Sequence, residues 1–450
     1  MREEGSGPRT ATRVGSVTEA RIAAAEILAD LRRGAFLDVA FDRRTGSLDS
    51  RDRRFTRELV YGTLRRRAWL DALIQDRVRG GLGRLDAEVL DLLRLGAYQL
   101  LHMRSVPPYA AIAQTVELVK RRQGAGPGRL TNAVLRRLDR EGADAQPGLP
   151  ADPIDALALS ESHPRWLVAR WVARWGEDET RRLLQSNNTE PPLIARPVNA
   201  VREQVEAMLE ASGVTVADAP LVPDSILLAS PISSLTEMGA FRQGLLHIQD
   251  PASTLVTKYA AFPDGAACAD VCAAPGGKAV ELARRAGAVF ASDISFSRLR
   301  RVIENAERMD LPSLFPYVAD ARKPALRSVA TMLIDAPCTG TGTFRRHPDA
   351  RWRLKPSDLA VMPAVQRELL RSAATAVTPG GLLVYSTCSL ETEENDAQVE
   401  RFLSEHREWT LEPPPEGAVP AAVLDAGRLR VLPQRHGVDG AFAARLRRSA

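Results

Sequence analysis

The sequence of 450 residues has few of the features that mark membrane, secreted or metal-binding proteins. No apolar run approaches the length of about 18 residues that a membrane-spanning helix needs, and residues 1–16 offer no apolar stretch for a signal peptide. Cysteine occurs only at positions 268, 272, 338 and 388, with no CxxC pair and no neighbouring histidine cluster. These absences argue against a disulfide scaffold or a metal site, and they predict a cytoplasmic protein that spans no membrane.

Positive charge is concentrated near the N-terminus. Residues 1–140 hold 27 Lys and Arg against 17 Asp and Glu, a balance of +10, whereas the whole chain carries +5. This favours a polyanionic partner such as RNA, because cationic side chains displace the counterions condensed on a phosphate backbone. A solvated basic surface is the alternative. The arginines expected to contact RNA fall in three stretches: Arg51, Arg53, Arg54 and Arg57; Arg65 to Arg67; and Arg121, Arg122 and Arg129.

Hydrophobic periodicity divides the chain into regions, and its length predicts two or three domains. Apolar residues recur at spacings of three and four in the N-terminal region, which is typical of amphipathic helices. In the C-terminal region short apolar runs alternate with helical patterns, which predicts a mostly parallel, doubly wound α/β sheet. The predicted divisions are a disordered tail at 1–16, an all-α domain at 17–140, a linker at 141–155, a small α+β connector at 156–246 and a Rossmann-like catalytic domain at 247–450.

A glycine-containing turn, DVCAAPGGKA, follows a predicted strand at 270–279. It matches neither GxGxxG nor GxxxxGKS, so S-adenosylmethionine fits better than a dinucleotide or a nucleoside triphosphate. Asp293 ends the next strand, 23 residues after Asp270, where a carboxylate can accept hydrogen bonds from ribose hydroxyls. Asp320 ends the following strand and is a candidate for binding the adenine end of S-adenosylmethionine. One strand-end acid is often only a helix cap, but three in register favour one binding site.

Lys278 opens the helix after this turn. A cation at a helix N-terminus opposes the helix dipole, and only five of the 61 basic residues are lysines. A surface lysine is the alternative, but we expect Lys278 to order the loop and to polarise a carboxylate or the substrate.

Cys338 and Cys388 each follow a predicted strand. Carbon 5 of a pyrimidine is a poor nucleophile, so its methylation needs prior covalent addition at carbon 6, which a thiolate can supply. The charge that develops at N3 must be neutralised, and Asp335 is the candidate carboxyl group. Cys388 is a candidate nucleophile because it lies in a polar turn, and Cys338 can assist release of the product, but these residues alone do not rank the two. Cys268 is expected to be an inert core residue.

Five segments resemble, in order, the motifs of RNA cytosine-5 methyltransferases of the RsmB/Sun (Nop/NSUN) family: DVCAAPGGKA, SDIS, VADAR, DAPCTGTG and YSTCS. The resemblance implies that Cys388 is the nucleophile, that Cys338 aids release and that Asp335 contacts the cytosine. DNA cytosine-5 methyltransferases instead use a Pro-Cys pair, which would select Cys338. The residues implied to hold S-adenosylmethionine are Cys272, Ala273, Ala274, Pro275, Gly276, Gly277, Lys278, Asp293, Asp320 and Asp335.

The N-terminal region adds a second resemblance. ELVYGTLRR and LTNAVLRRL are similar to the NusB-like RNA-binding domain of bacterial small-subunit ribosomal RNA methyltransferases. This implies formation of 5-methylcytosine in 16S rRNA, either free or within an assembling subunit. The alternatives are a tRNA cytosine-5 methyltransferase and a catalytically inactive RNA-binding or ribosome-assembly protein. The closing segment DGAFAARL departs from the family pattern at Ala441, where an aromatic residue is usual.

Four residues that closely follow Cys338 are candidates for contact with RNA phosphates: Arg345, Arg346, His347 and Arg351. Solvated surface charge is the alternative.

Overall fold

The computed structural model describes residues 17–229, 235–323 and 325–450. The tail expected at 1–16 lies outside these residues. The chain divides into two compact units between Glu177 and Asp178. The helices at 153–175 therefore belong to the N-terminal unit, although the sequence analysis assigned residues from 156 onward to the connector. The sequence-based domain bounds stay predictions.

The N-terminal unit is helical over its described residues. Side-chain caps start several of its helices: Asp49, for example, accepts a hydrogen bond from the backbone N–H of Asp52. Its core is built from the apolar faces of these helices and includes Ile27, Leu59 and Leu92. The helices are α1 (Glu19–Arg32), α2 (Leu37–Thr45), α3 (Ser50–Arg65), α4 (Arg67–Gln75), α5 (Ala87–His102), α6 (Pro108–Gln123), α7 (Ala125–Glu141), α8 (Pro153–Ser160) and α9 (Arg165–Trp175).

A small α+β region with an antiparallel sheet follows the boundary between the two units. Its elements are α10 (Glu177–Asn188), β1 (Leu193–Pro197), α11 (Arg202–Ala211), β2 (Val216–Asp218), β3 (Ile226–Leu228), α12 (Gly239–Arg242) and β4 (Leu246–Ile248). The strands lie in the order β2-β3-β1-β4. Val205 and Leu209 of α11 pack on Ala195, Ile226 and Leu246 of the sheet. The α+β connector predicted from the sequence is confirmed.

A larger sheet forms the rest of the second unit. Its strands are β5 (Ala267–Val271), β6 (Ala288–Asp293), β7 (Leu314–Val318), β8 (Val329–Asp335), β9 (Val377–Thr387), β10 (Trp409–Leu411), β11 (Leu424–Asp425), β12 (Arg428–Val431) and β13 (Ala441–Arg448). The helices are α13 (Pro251–Ala260), α14 (Gly277–Ala283), α15 (Phe296–Arg308), α16 (Ala350–Arg353), α17 (Asp358–Ala376), α18 (Asp396–Glu405) and α19 (Pro433–His436).

The strand order is β11-β12-β13-β9-β8-β5-β6-β7, and β10 pairs with β13. From β9 to β7 all neighbours are parallel, whereas β13 is antiparallel to β9. The chain runs from β5 outward to β7 and then returns to β8, on the other side of β5. Such a reversal of strand order opens a crevice at the carboxyl ends of the strands. The predicted fold class, a helical domain with a parallel-dominated α/β domain, is confirmed.

Among the described residues, every helix is too short or too polar to cross a lipid bilayer.

Candidate active site

The parallel strands bring the predicted residues of the catalytic unit to one edge of the sheet. Val271 at the end of β5 pairs with Ile334 of β8, and Asp335 pairs with Ser386 of β9. The turn that begins at Cys272, the Asp335 carboxyl group and the Cys388 loop therefore follow three adjacent strand ends. The strand-end placement expected from the sequence is what gathers them.

The turn between β5 and α14 is packed closely on α15. Gly276 has φ +110°, and a Cβ added there would lie 3.2 Å from Cγ2 of Val302 and 3.3 Å from its Cα. Glycine is favoured because other residues rarely adopt this conformation and because a side chain would crowd Val302. The turn is thus held closely against α15.

The strand-end acids differ in their surroundings. Asp293 is buried, accepts a hydrogen bond from the backbone N–H of Ser295 at 2.9 Å, and lies 3.0 Å from the guanidinium group of Arg298. The same Arg298 donates to the carbonyl oxygen of Ala274 at 3.2 Å, which ties the acid to the turn. Asp320 forms a two-point ion pair with Arg322. Asp293 is therefore tied to the turn through Arg298, whereas Asp320 follows β7, whose Val318 pairs with Asp293.

Asp270 lies inside β5 and is fully buried. Neither of its carboxylate oxygens has a hydrogen-bond partner among the described residues. Burial raises the pKa of Asp270 well above its usual value, and the neighbouring Asp335 adds to this. A buried polar group without a partner is uncommon in proteins and points to a group that binds beside it.

Lys278 and Asp335 form an ion pair. Lys278 Nζ lies 2.6 Å from Asp335 Oδ2, and the Ser386 hydroxyl donates to Asp335 Oδ1 at 3.0 Å. Burial opposes the charge on Lys278, but Asp335 outweighs it and raises the pKa of Lys278 above its ordinary value. Lys278 is therefore protonated and is not a solvated surface lysine.

The two cysteines predicted to carry the chemistry are in contact. Cys338 Sγ and Cys388 Sγ are 3.3 Å apart, and each residue is partly exposed. The hydrogen bond between them lowers the pKa of Cys388, against burial and Asp335, and Lys278 and His347 lower it further. The same hydrogen bond, together with burial, raises the pKa of Cys338 well above its usual value. Of the two sulfurs, Cys388 is the one that ionises more readily.

The other two cysteines lack this activation. Burial, with a contribution from Asp270, raises the pKa of both Cys268 and Cys272 to about 12. Cys268 lies inside β5, with 1% of its surface exposed. Thiols with such pKa values are protonated at neutral pH and are poor nucleophiles.

Backbone contacts hold the two cysteine loops together. The N–H of Gly342 donates to the carbonyl oxygen of Cys388 at 2.9 Å, and the N–H of Gly440 donates to the carbonyl oxygen of Gly342 at 2.8 Å. A Cβ at Gly342 would lie 2.7 Å from both the Cys388 oxygen and Gly440 Cα, so only glycine fits. The closing segment before β13 thereby supports both loops.

The expectation that arginines after Cys338 contact RNA phosphates is wrong for Arg345 and Arg351. Arg345 is 4% exposed and pairs with Asp250 at 2.8 Å and with Asp439 at 2.5 Å. Arg351 is fully buried and donates to the carbonyl oxygen of Asn187 at 2.9 Å. These charges are enclosed because they bind other parts of the same unit.

Arg346 also pairs with both acids, at 2.6 Å each. The outcome is a buried group of two arginines and two aspartates that joins the segment after Cys338 to α13 and to the closing segment.

In the N-terminal unit, several arginines predicted to contact RNA are already paired. Arg53 lies 2.9 Å from Asp42, and Arg121 and Arg122 each lie 2.8 Å from a glutamate. Arg129 is exposed and has no ion pair among the described residues. Arg136 and Arg140, which the sequence analysis did not single out, share this exposure and this lack of an acidic partner in the described chain.

These three arginines form one row on α7. Their spacings of seven and eleven residues place Arg129, Arg136 and Arg140 on the same side of the helix. The rise of 1.5 Å per residue spreads them over about 16 Å. The helical phase was readable from the sequence, but their freedom from acidic partners was not.

Sequence reasoning also missed three supporting residues of the active site. Ser386 holds Asp335, and Glu394 and Gln366 contact the cysteine loops. Glu394 lies in the acidic run ETEEND, where glutamates are usually solvated, so composition gave no signal for its burial.

No group of three potential metal-ligating side chains lies together within 17–229, 235–323 and 325–450.

Comparison with known proteins agrees with this architecture. A family model for the 16S rRNA methyltransferase RsmB/F matches residues 261–447, a NusB family model matches residues 18–140, and a model for the RsmF/B-like ferredoxin-like domain matches residues 163–234. A probable ribosomal RNA small subunit methyltransferase B from Synechocystis is 34% identical over 439 residues, covering 94% of this chain and 98% of the relative. This chain belongs to the RsmB/F family. The family resemblance inferred from the motifs is thus confirmed.

Two further comparisons span nearly the whole chain. Ribosomal RNA small subunit methyltransferase B from Pseudomonas syringae is 34% identical and covers 95% of this chain and 96% of its own length. The crystal structure of PH0851 is 27% identical with a TM-score of 0.79, covering 96% of this chain and 99% of its own. The fold is therefore similar to that of PH0851 over nearly the whole chain.

Proposed function

We propose that this RsmB/F family member is an S-adenosylmethionine-dependent methyltransferase that forms 5-methylcytosine in small-subunit ribosomal RNA. The observation that carries the chemistry is the contact between Cys338 and Cys388 beside the Lys278–Asp335 pair. The ribosomal substrate follows from the names of the relatives, which are small-subunit ribosomal RNA methyltransferases. The row of unpaired arginines on α7 supports an RNA partner.

The residues of the turn fit the cofactor. Gly276 lets the turn pack closely on α15, and Asp270 presents a buried carboxyl group without a partner among the described residues. Cys272 to Lys278, with Asp293 and Asp320 at the next strand ends, would hold S-adenosylmethionine. When bound there, the cofactor supplies the methyl group.

Cys388 is the nucleophile of the proposed reaction. Its thiolate adds to carbon 6 of a cytosine, and the electrons of the ring double bond move toward N3, which takes up a proton. Asp335 lies between Lys278 and Ser386, so the ammonium group of Lys278 can supply this proton through the Asp335 carboxylate. The base must be unstacked from the RNA for the thiolate to reach its face.

Cys338 assists the second half of the reaction. After methylation the carbon 5 proton must leave, and the bond between Cys388 and carbon 6 must break. Cys338 lies 3.3 Å from the departing sulfur. It can remove the proton or donate a hydrogen bond to the thiolate that leaves.

The test compares cysteine variants incubated with small-subunit ribosomal RNA and S-adenosylmethionine, followed by a denaturing gel. Cys338→Ala should accumulate a covalent protein–RNA adduct, because release is impaired. Cys388→Ala should form none. Cys268→Ala is the matched control, because it removes a buried cysteine outside the site, and it should transfer labelled methyl groups as the parent does.

Three outcomes would contradict or correct the proposal. An adduct only in Cys388→Ala would exchange the roles of the two cysteines. If the parent protein moved no label from S-adenosylmethionine into ribosomal RNA, the reaction itself would be refuted, and label only in transfer RNA would correct the substrate.

A further inference from the structure

Glu394 lies directly behind the two cysteine loops. It ends a short 3-10 turn, Thr392–Glu394, that follows β9, and its surface is 0% exposed. The hydroxyl of Tyr385, on β9, donates to its backbone oxygen at 2.7 Å. A carboxylate buried this completely needs several hydrogen-bond donors, because an unpaired buried charge is strongly unfavourable.

The donors come from the residues that follow each cysteine. Thr339, which follows Cys338, donates its backbone N–H to Glu394 Oε1 at 2.9 Å. Ser389, which follows Cys388, donates its hydroxyl to Oε2, as does the hydroxyl of Thr339. These two hydroxyl groups are 3.1 Å apart. One carboxylate therefore joins the two loops at matching positions.

Gln366 of α17 completes the arrangement. Its amide donates to Glu394 Oε1 and to the carbonyl oxygen of Pro337, at 2.9 Å each. Pro337 precedes Cys338, so the residues on both sides of this cysteine are held. Burial raises the pKa of Glu394 above its usual value, although the bonds from Ser389 and its other donors oppose that rise.

The charges around the sulfurs are arranged asymmetrically. Lys278 and His347 act on Cys388 and favour its thiolate, although Asp335 opposes them. Glu394 acts on Cys338 and, after the hydrogen bond with Cys388 and burial, adds to the rise in its pKa. Glu394 accepts both the backbone N–H and the hydroxyl of Thr339, next to Cys338, but only the hydroxyl of Ser389, next to Cys388. A negative charge held closer to one member of a hydrogen-bonded thiol pair disfavours the thiolate at that member.

We infer that Glu394 is a positioning residue that holds the two cysteine loops together, and that its negative charge directs the single thiolate of the pair to Cys388. The inference rests on the proposed function for the role of that thiolate. Glu394 acts through Thr339 and Ser389 and contacts no reacting atom.

The variant Glu394→Gln separates charge from position. Its amide oxygen can keep the bonds from Thr339 N–H and Gln366, and its amide nitrogen can donate to the hydroxyls of Thr339 and Ser389, which can turn to accept. Glu394→Ala removes both contributions. Glu393→Gln is the matched control, because it deletes the same charge from the neighbouring position of the same turn.

The experiment uses the full-length protein without RNA or cofactor. Brief treatment with iodoacetamide at pH 8 is followed by mass spectrometry of the peptides that contain Cys338 and Cys388, which gives the ratio of their alkylation. Dibromobimane, which links two thiols only when they lie close together, reports the position of the loops. Circular dichroism and thermal unfolding show whether each variant is folded.

In the parent and in Glu393→Gln, alkylation should strongly favour Cys388. In Glu394→Gln the ratio should fall about tenfold, equivalent to one pKa unit, while dibromobimane linking persists. In Glu394→Ala the alkylation ratio should fall and the dibromobimane linking should be lost as well. Linking that is lost in the alanine variant but kept in the glutamine variant marks the positional role.

An unchanged alkylation ratio in a folded Glu394→Gln protein would overturn the electrostatic role. Persistent linking in a folded Glu394→Ala protein would overturn the positional role. Because neither measurement needs RNA or methyl transfer, failure of the proposed function would appear separately, as a protein with the expected thiol behaviour that transfers no methyl group.

Discussion

The buried group of Asp250, Asp439, Arg345 and Arg346 makes the replacement Asp250→Asn informative. Asp250 Oδ2 receives the guanidinium groups of Arg345 at 2.8 Å and Arg346 at 2.6 Å. Its Oδ1 caps α13 through the N–H of Ala252 at 2.9 Å. Burial opposes ionisation, but the two arginines prevail and lower the pKa of Asp250. An asparagine can keep the cap, but it leaves two guanidinium groups facing one carboxylate.

Removing one partner from a buried ion pair costs about 3–5 kcal/mol, because the remaining charge is uncompensated. Arg346 keeps 24% of its side chain exposed, so water offsets part of this loss and we expect the lower end, about 3 kcal/mol. Asp250→Ala also removes the helix cap and should cost about 1 kcal/mol more.

The assay is urea unfolding followed by tryptophan fluorescence. A unit of this size has an m-value of about 3 kcal/mol/M, so Asp250→Asn should lower the midpoint by about 1 M. Asp264→Ala is the control, because it breaks an ion pair with Arg285 in which both side chains are mostly exposed, and it should leave the midpoint unchanged. Equal midpoints for Asp250→Asn and Asp264→Ala would refute the reasoning that the buried group stabilises this unit.

Two further predictions concern RNA binding and pH. A triple variant in which Arg129, Arg136 and Arg140 are all replaced by Gln should reduce the slope of log affinity against log salt by about 2, measured by fluorescence anisotropy with a ribosomal RNA fragment. The control Arg121→Gln should change the slope little, because Arg121 is already paired with an acid. An unchanged slope in the triple variant would place the RNA elsewhere. Burial lowers the pKa of His247 from 6.5 to about 4, so its contribution to stability is present above pH 6.5 and is lost as pH falls toward 4. The difference between the urea midpoints at pH 7 and pH 5 should therefore be smaller in His247→Gln than in the parent protein. Equal differences in the two proteins would contradict the lowered pKa of His247.

Much of the active site was predictable because it depends on strand ends. Asp293, Asp335 and Cys388 each follow an apolar run, and parallel strands bring their carboxyl ends to one edge. Local pattern is enough for that inference, since it requires only the period of the strands and their direction. The same pattern could not rank the cysteines, because their pKa values depend on a contact between residues fifty positions apart.

The arginines show where local reasoning fails. Arg345 and Arg351 read as surface charge from their neighbours in the sequence, yet their partners lie 95 and 164 residues away. Burial of a charged residue is decided by such distant partners, which no local window contains. Glu394 was missed for the same reason, since Thr339 approaches it from 55 positions away.

Charged side chains of the second unit hold the cysteine loops at two places. Arg345 and Arg346 tie the segment after Cys338 to Asp250 and Asp439, whereas Glu394 joins Thr339 and Ser389, the residues that follow the two cysteines. Buried ion pairs contribute little net stability compared with well-packed apolar residues, so stability alone does not explain so many of them in one place. Directional contacts do restrict two loops to one arrangement. The bonds of Asp250, Asp439 and Glu394 join the segments that carry the two cysteines, so their directions favour one arrangement of these segments.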